Sequence, residues 1–176
     1  MNEDAAVQAV YDTINDNKAT LVSGLEQNGL ARELSWLADT LVAVPDSYYA
    51  VAVHCESAEE ANMPDQYNSR SASPYMTTYQ IMIRLGDAVY YDPNDTSVYG
   101  STAHANFRDF CDNVVKLFRR DQDWFPSASA SPRFRLIQSS GRGRIVRKEN
   151  DLPMPIEDGV ALVSATIRFT LTGCND

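Results

Sequence analysis

Val160-Ala161-Leu162-Val163-Ser164-Ala165-Thr166-Ile167-Arg168-Phe169-Thr170-Leu171-Thr172, near the C-terminus, is the stretch whose reading decides the fold. From Ala161 the odd positions read Ala161, Val163, Ala165, Ile167, Phe169 and Leu171; from Ser164 the even ones read Ser164, Thr166, Arg168, Thr170 and Thr172. Alternation with period two gives a strand with one apolar and one polar face. About a dozen residues at ~3.3 Å each reach roughly 40 Å, where an ordinary strand has about five or six residues. An apolar face of that length needs a helix or a second sheet over it, and its edges need neighbouring strands. So long a strand also has the reach to pair at one end with an adjacent subunit.

The cover is expected from residues 103–120, where Phe107, Phe110, Cys111, Val114, Leu117 and Phe118 recur at helical spacing. Ser101 or Thr102 suits the N-cap, Lys116, Arg119 and Arg120 suit the negative end of the helix dipole, and Asp112 is placed to pair with Lys116 one turn on. A second amphipathic helix is expected over 4–25, through Val7, Val10, Tyr11, Ile14, Leu21, Val22 and Leu25, with Asn28-Gly29 as its stop. Residues 48–56 and 77–85 alternate as strands. The first, with Tyr49, Val51, Val53 and Cys55 on one face and Tyr48, Ala50, Ala52 and His54 on the other, is apolar enough on both to be central.

Between these strands, residues 57–75 are small, polar and broken by Pro64 and Pro74, which reads as a long loop. Gly86-Asp87 and Tyr91-Asp92-Pro93-Asn94-Asp95 read as breaks. Residues 30–44 fit either a helix, through Leu30, Leu34, Leu37 and Leu41, or a short strand over 40–44. After a linker over 121–132, a short strand is expected over 133–138, a turn at 139–143 and a second strand or arm over 144–148. Residues 151–158, with Pro153 and Pro155, read as a further loop. The expected fold class is α+β: a mainly antiparallel β-sheet packed against an amphipathic helix, with an N-terminal helix and long loops near 57–76 and 121–132. The whole chain, 1–176, is expected to form a single domain.

With 44% hydrophobic and 22% charged residues the composition is that of a globular protein. A formal net charge of -9 argues against non-specific duplex binding by the surface as a whole. The charges are segregated, however: residues 1–65 carry twelve acidic side chains and two basic ones, and residues 116–148 carry nine of the fifteen basic ones. The acidic start, Met-Asn-Glu-Asp, is unlike a signal peptide, and no apolar run has bilayer length, so a protein made and used in a cytoplasm is expected, with no membrane partner.

Motifs for catalysis are lacking: there is no Gly-x-Ser-x-Gly elbow, no phosphate-cradling loop and no His-Glu-x-x-His pair. Gly141-Arg142-Gly143-Arg144 lacks the Lys-Ser/Thr of a phosphate loop, and His54 and Cys55, adjacent in a strand, point to opposite faces. Cys55 and Cys111 read as reduced core residues and Cys174 as exposed. The expectation is a protein that is not an enzyme and has no cofactor and no metal site. Two constellations stand out as partner contacts. Arg133, Arg135, Arg142, Arg144, Arg147 and Lys148 form a basic hairpin over 133–148, suited to an acidic protein patch or to phosphates and otherwise a solvated, charge-protected edge. Glu56, Glu59 and Glu60 open the 57–75 loop, which is either plainly flexible or ordered on docking.

An N-terminal amphipathic helix, two strands joined by a long loop, one amphipathic helix over 103–120 and a long closing strand together resemble the tail terminator and tail-completion proteins of long-tailed bacteriophages. The resemblance covers most of the chain and rests on element order, size and the strand from Ala161 to Leu171; the loops at 57–75 and 121–132 are longer than in compact members of the family. It implies a structural virion protein forming a homo-oligomeric ring, commonly a hexamer, at the head-proximal end of the tail. Such a ring ends tail-tube growth and joins the tail to the head connector, so tail tube and connector proteins are the implied partners. DNA would pass through the lumen without specific binding, and the place of action would be the virion neck after assembly in the host cytoplasm. The competing readings are a nucleic-acid-binding module acting through the 133–148 hairpin and a small ligand-binding or enzymatic α+β domain.

Overall fold

A computed structural model describes residues 3–27, 29–36, 48–62, 75–119, 134–136, 138–139, 143–144 and 146–174. The helices are α1 (Glu3–Asp16), α2 (Lys18–Leu21) and α3 (Thr102–Arg119). The strands are β1 (Glu26–Gln27), β2 (Leu30–Ala31), β3 (Glu33–Trp36), β4 (Tyr48–Asn62), β5 (Tyr75–Tyr90), β6 (Phe134–Leu136), β7 (Gln138–Ser139), β8 (Gly143–Arg144), β9 (Arg147–Asn150), β10 (Met154–Glu157) and β11 (Val160–Cys174).

Among the described residues, seven strands form the main sheet, with β11, β5 and β4 at its centre. β11 runs antiparallel to β5 from Val160 opposite Tyr90 to Cys174 opposite Met76. Its other edge takes three short antiparallel partners in succession: β10 against 160–162, β9 against 165–168 and β6 against 171–173. β4 pairs antiparallel with β5, and β3 closes the far side as a parallel neighbour of β4. The fold is α+β, with a mainly antiparallel sheet and an N-terminal helix, as the sequence pattern requires. The reach of β11 toward a neighbouring subunit is not available along these stretches, because both edges are already paired.

Register places Val51, Val53 and Cys55 of β4 beside Leu85, Ile83 and Ile81 of β5, and these beside Ala165, Ile167 and Phe169 of β11. This face is covered by α3 and α1. α3 buries Phe107, Phe110, Cys111, Val114, Leu117 and Phe118; the Phe118 ring stacks on Phe169 at 4.7 Å, and Phe110 lies flat on Tyr49 at 4.4 Å and 10°. α1 buries Ala6, Ala9, Val10 and Ile14, and its Tyr11 packs on Trp36 of β3 at 4.0 Å. Ser101 is the N-cap of α3, its Oγ accepting the His104 N–H at 3.2 Å.

Several boundaries differ from the sequence expectation. The N-terminal helix breaks at Asn17, whose side chain donates to the Thr13 carbonyl, and the helical path ends at Leu21; Gly24, with φ +74°, makes the turn, while Gly29 serves the β1–β2 turn. Within 30–44 the described part is extended, as β2 and β3, and residues 37–44 lie outside the described residues. β4 runs six residues past Glu56 through a bulge between Cys55 and Ser57, and 63–74 lie outside the described residues. β5 continues through Gly86 and Asp87, because Gly86 sits in register between Ala50 and Ser164 and Asp87 has a buried partner. Residues 154–157 are a strand despite Pro155, since β10 lies at the sheet edge, where a missing N–H costs no ladder bond. Asp112 pairs with Lys148 of β9 instead of Lys116. Cys111 is fully buried, Cys55 half-buried with its thiol donating to the Ser57 carbonyl, and both are free thiols.

Candidate functional site

The 133–148 stretch lies partly in the sheet. β6 pairs with 171–173 and β9 with 165–168, so both flanks are stitched to β11, and only the β7–β8 pair, Gln138 opposite Arg144 and Ser139 opposite Gly143, forms a separate hairpin. The anchoring is specific. Phe134 is 1% exposed, edge-on to Tyr79, and Gly173 runs so close beneath it that a Cβ there would come within 3.0 Å of the Phe134 ring. Arg119 of α3 donates to the Val146 carbonyl at 3.2 Å, and Lys148 ion-pairs with Asp112, so the C-terminal half of α3 holds this segment down.

The six basic candidates therefore separate. Lys148 is half-buried and engaged with α3; Arg147 is exposed on β9 opposite Arg168; Arg135 and Arg144 belong to β6 and β8; Arg133 and Arg142 lie outside the described residues. The acidic candidates sit on β4 and not in a loop. Glu59 and Glu60 are exposed, opposite Thr78 and Thr77. Glu56 accepts from Nε of Arg168 at 3.2 Å, and Arg168 Nη1 reaches Glu149 at 3.0 Å, so one cation on the open sheet face links β4, β11 and β9. An ion-pair network this exposed contributes about 1 kcal/mol or less per pair.

Sequence reading missed a polar cluster beneath α3. Arg32 and Asp87 form a buried ion pair, 0% and 1% exposed at the side chain; Arg32 also donates to the Tyr48 carbonyl at 2.7 Å and lies 4.4 Å from the centre of the Tyr49 ring. Gln27 Nε2 donates to the Ala88 carbonyl at 2.8 Å beside it. Burial pushes the Asp87 carboxyl up to about 7, although the Arg32 guanidinium pulls it down, and burial likewise pushes the Tyr49 phenol and the Cys111 thiol upward. The cluster joins the β2–β3 segment to the sheet; with no open route to solvent on either charge, it is a structural lock. No local signal in the sequence links residues 55 positions apart.

Among the described residues no group of three or more His, Cys, Asp or Glu side chains could hold a metal, and no helix is long and apolar enough to cross a membrane. His54 and Cys55 lie on opposite faces of β4, as strand geometry demands. The chain matches no protein-family model, and no curated protein is detectably similar to it.

Proposed function

We propose that this chain is a structural virion protein, without enzymatic activity, that assembles into a ring at the head-proximal end of a phage tail, ends growth of the tail tube and joins the tail to the head connector. The observation that supports the reading is the way the resembling elements fold together. The N-terminal helix, the long β4–β5 pair, α3 and β11 come together around one sheet, and along the chain the acidic residues concentrate in 1–65 and the basic ones in 116–148. A head-to-tail ring needs two different complementary patches per subunit, and segregated charge supplies them. An acidic or neutral lumen lets DNA pass without holding it.

Reversing charge at Arg142 and Arg144 tests this. Arg142→Glu/Arg144→Glu is expected to fold normally and to lower ring yield and the joining of filled heads to tails by about tenfold or more. Joining at the wild-type level with both charges reversed would count against the proposal.

A further inference from the structure

β1, the end of β5, the turn at 92–96, the 3-10 turn Val98–Gly100 and the start of α3 surround an open cleft of about 530 Å³. That is the size of a small-molecule site, which spans roughly 300–1,000 Å³. β1 is fixed from two sides. Gln27 Nε2 donates to the Ala88 carbonyl at 2.8 Å, and Asn106 of α3 donates to the Glu26 carbonyl at 2.7 Å, so the sheet and the helix that flank the cleft both hold it. Gly100 lets the 92–96 turn close against the 3-10 turn, since a Cβ there would collide with Thr96 Oγ1. The walls are therefore set before any ligand arrives.

Two sets of unused hydrogen-bonding groups meet here. Gln27 is 5% exposed and lines the cleft, yet its Oε1 has no partner once Nε2 is committed to Ala88. A buried acceptor in that state is costly, and a donor supplied from the cleft satisfies it. The second set is the first turn of α3. Ser101 Oγ takes the His104 N–H and the Ser101 carbonyl takes the Ala105 N–H, which leaves the N–H groups of Thr102 and Ala103, both on the wall, ahead of the first helical bonds. Around these groups stand the exposed Glu26 and Asp95 carboxylates and the side chains of Tyr90 and Tyr91, and no Lys, Arg or His is among the lining residues.

That set selects the ligand. The carboxylates repel an anion, which a helix N-terminus alone would favour, and the positive end of the α3 dipole disfavours a bare cation. A neutral molecule with several hydroxyl groups meets both sets, because each hydroxyl donates to Gln27 Oε1 or a carboxylate and accepts from Thr102 or Ala103 N–H. The tyrosine rings add apolar surface for the C–H faces of a sugar ring.

We propose that this cleft binds a neutral saccharide, held between the acceptors Gln27 Oε1, Glu26 and Asp95 and the N–H donors of the first turn of α3. The site lies within one chain and does not rest on the ring reading. The test is saturation-transfer NMR on the full chain with glucose, N-acetylglucosamine and maltose, and with glucose 6-phosphate as the charged comparator. At least one neutral sugar is expected to bind with a Kd of about 1–10 mM, and glucose 6-phosphate about tenfold or more weaker than glucose. Glu26→Ala/Asp95→Ala, on exposed side chains, is expected to weaken the neutral sugar by about tenfold or more and to lift the penalty on the phosphate. Thr102→Pro is expected to weaken it by about threefold to tenfold with unchanged circular dichroism. Proline suits the first position of a helix, and Ser101, at φ −75° and ψ 145°, already has the conformation that precedes one, so a donor is removed without breaking α3. No saturable transfer to any of the three sugars, transfer that the carboxylate pair leaves unchanged, or a preference for glucose 6-phosphate overturns the site.

Discussion

Arg32→Ala is expected to lower the free energy of unfolding by about 3–5 kcal/mol at pH 8, because it leaves the buried Asp87 carboxylate without its counter-charge. It also strips the Tyr48 carbonyl of a donor and the Tyr49 ring of its cation. Arg32→Met/Asp87→Leu is expected to cost clearly less than the sum of the two single changes, since removing both charges removes the desolvation penalty with the attraction. Denaturant melts of the three variants and the wild type measure this, and additive losses would contradict a coupled buried pair. The pair also gives a pH signature. Folded Asp87 keeps its proton up to about 7, whereas an unfolded aspartate loses it near ~3.9. Across that window the native state binds more protons, so this residue's contribution to stability falls as pH rises from about 4 to about 7. Asp87→Asn should remove that slope.

The second large effect is expected in the cover. Phe110 is fully buried and lies parallel to Tyr49, 4.4 Å away, where α3 meets β4. Phe110→Ala removes a ring that a close-packed interior cannot replace and is expected to cost about 3–5 kcal/mol. At about 2–4 °C per kcal/mol for a chain of this size, Tm should fall by about 6–20 °C. Phe110→Leu, which keeps most of the volume, should lose distinctly less. Arg168→Ala, breaking the exposed network to Glu56 and Glu149, should cost about 1 kcal/mol or less. A Phe110→Ala loss no larger than that of Arg168→Ala would mean that α3 does not cover the sheet as described.

What the sequence discloses follows from how local each signal is. α3 and β11 are legible because each repeats one period over many residues, 3.6 from Phe107 to Phe118 and two from Ala161 to Leu171, and the register then sets the two stripes against each other. Asp87 is illegible: aspartate after glycine reads as a turn, and what keeps it in a strand is a guanidinium on the far side of the chain. The same holds for β10, where two prolines argue for a loop until the edge position is known. Of the candidate surfaces, the cationic run over 133–148 is plain from composition, but its stitching to β11 by β6 and β9 depends on long-range pairing. The cleft at the start of α3 has no sequence signature either, because Gln27, Tyr90, Asp95 and Thr102 come from separate stretches and become notable only once the fold brings them together.

The most direct test of the proposed role is electron microscopy of the purified full chain together with its mass in solution. The account predicts closed rings with a central opening and a single mass that is a whole multiple of 19.6 kDa. A strict monomer at every concentration, or open chains of indefinite length, would contradict it.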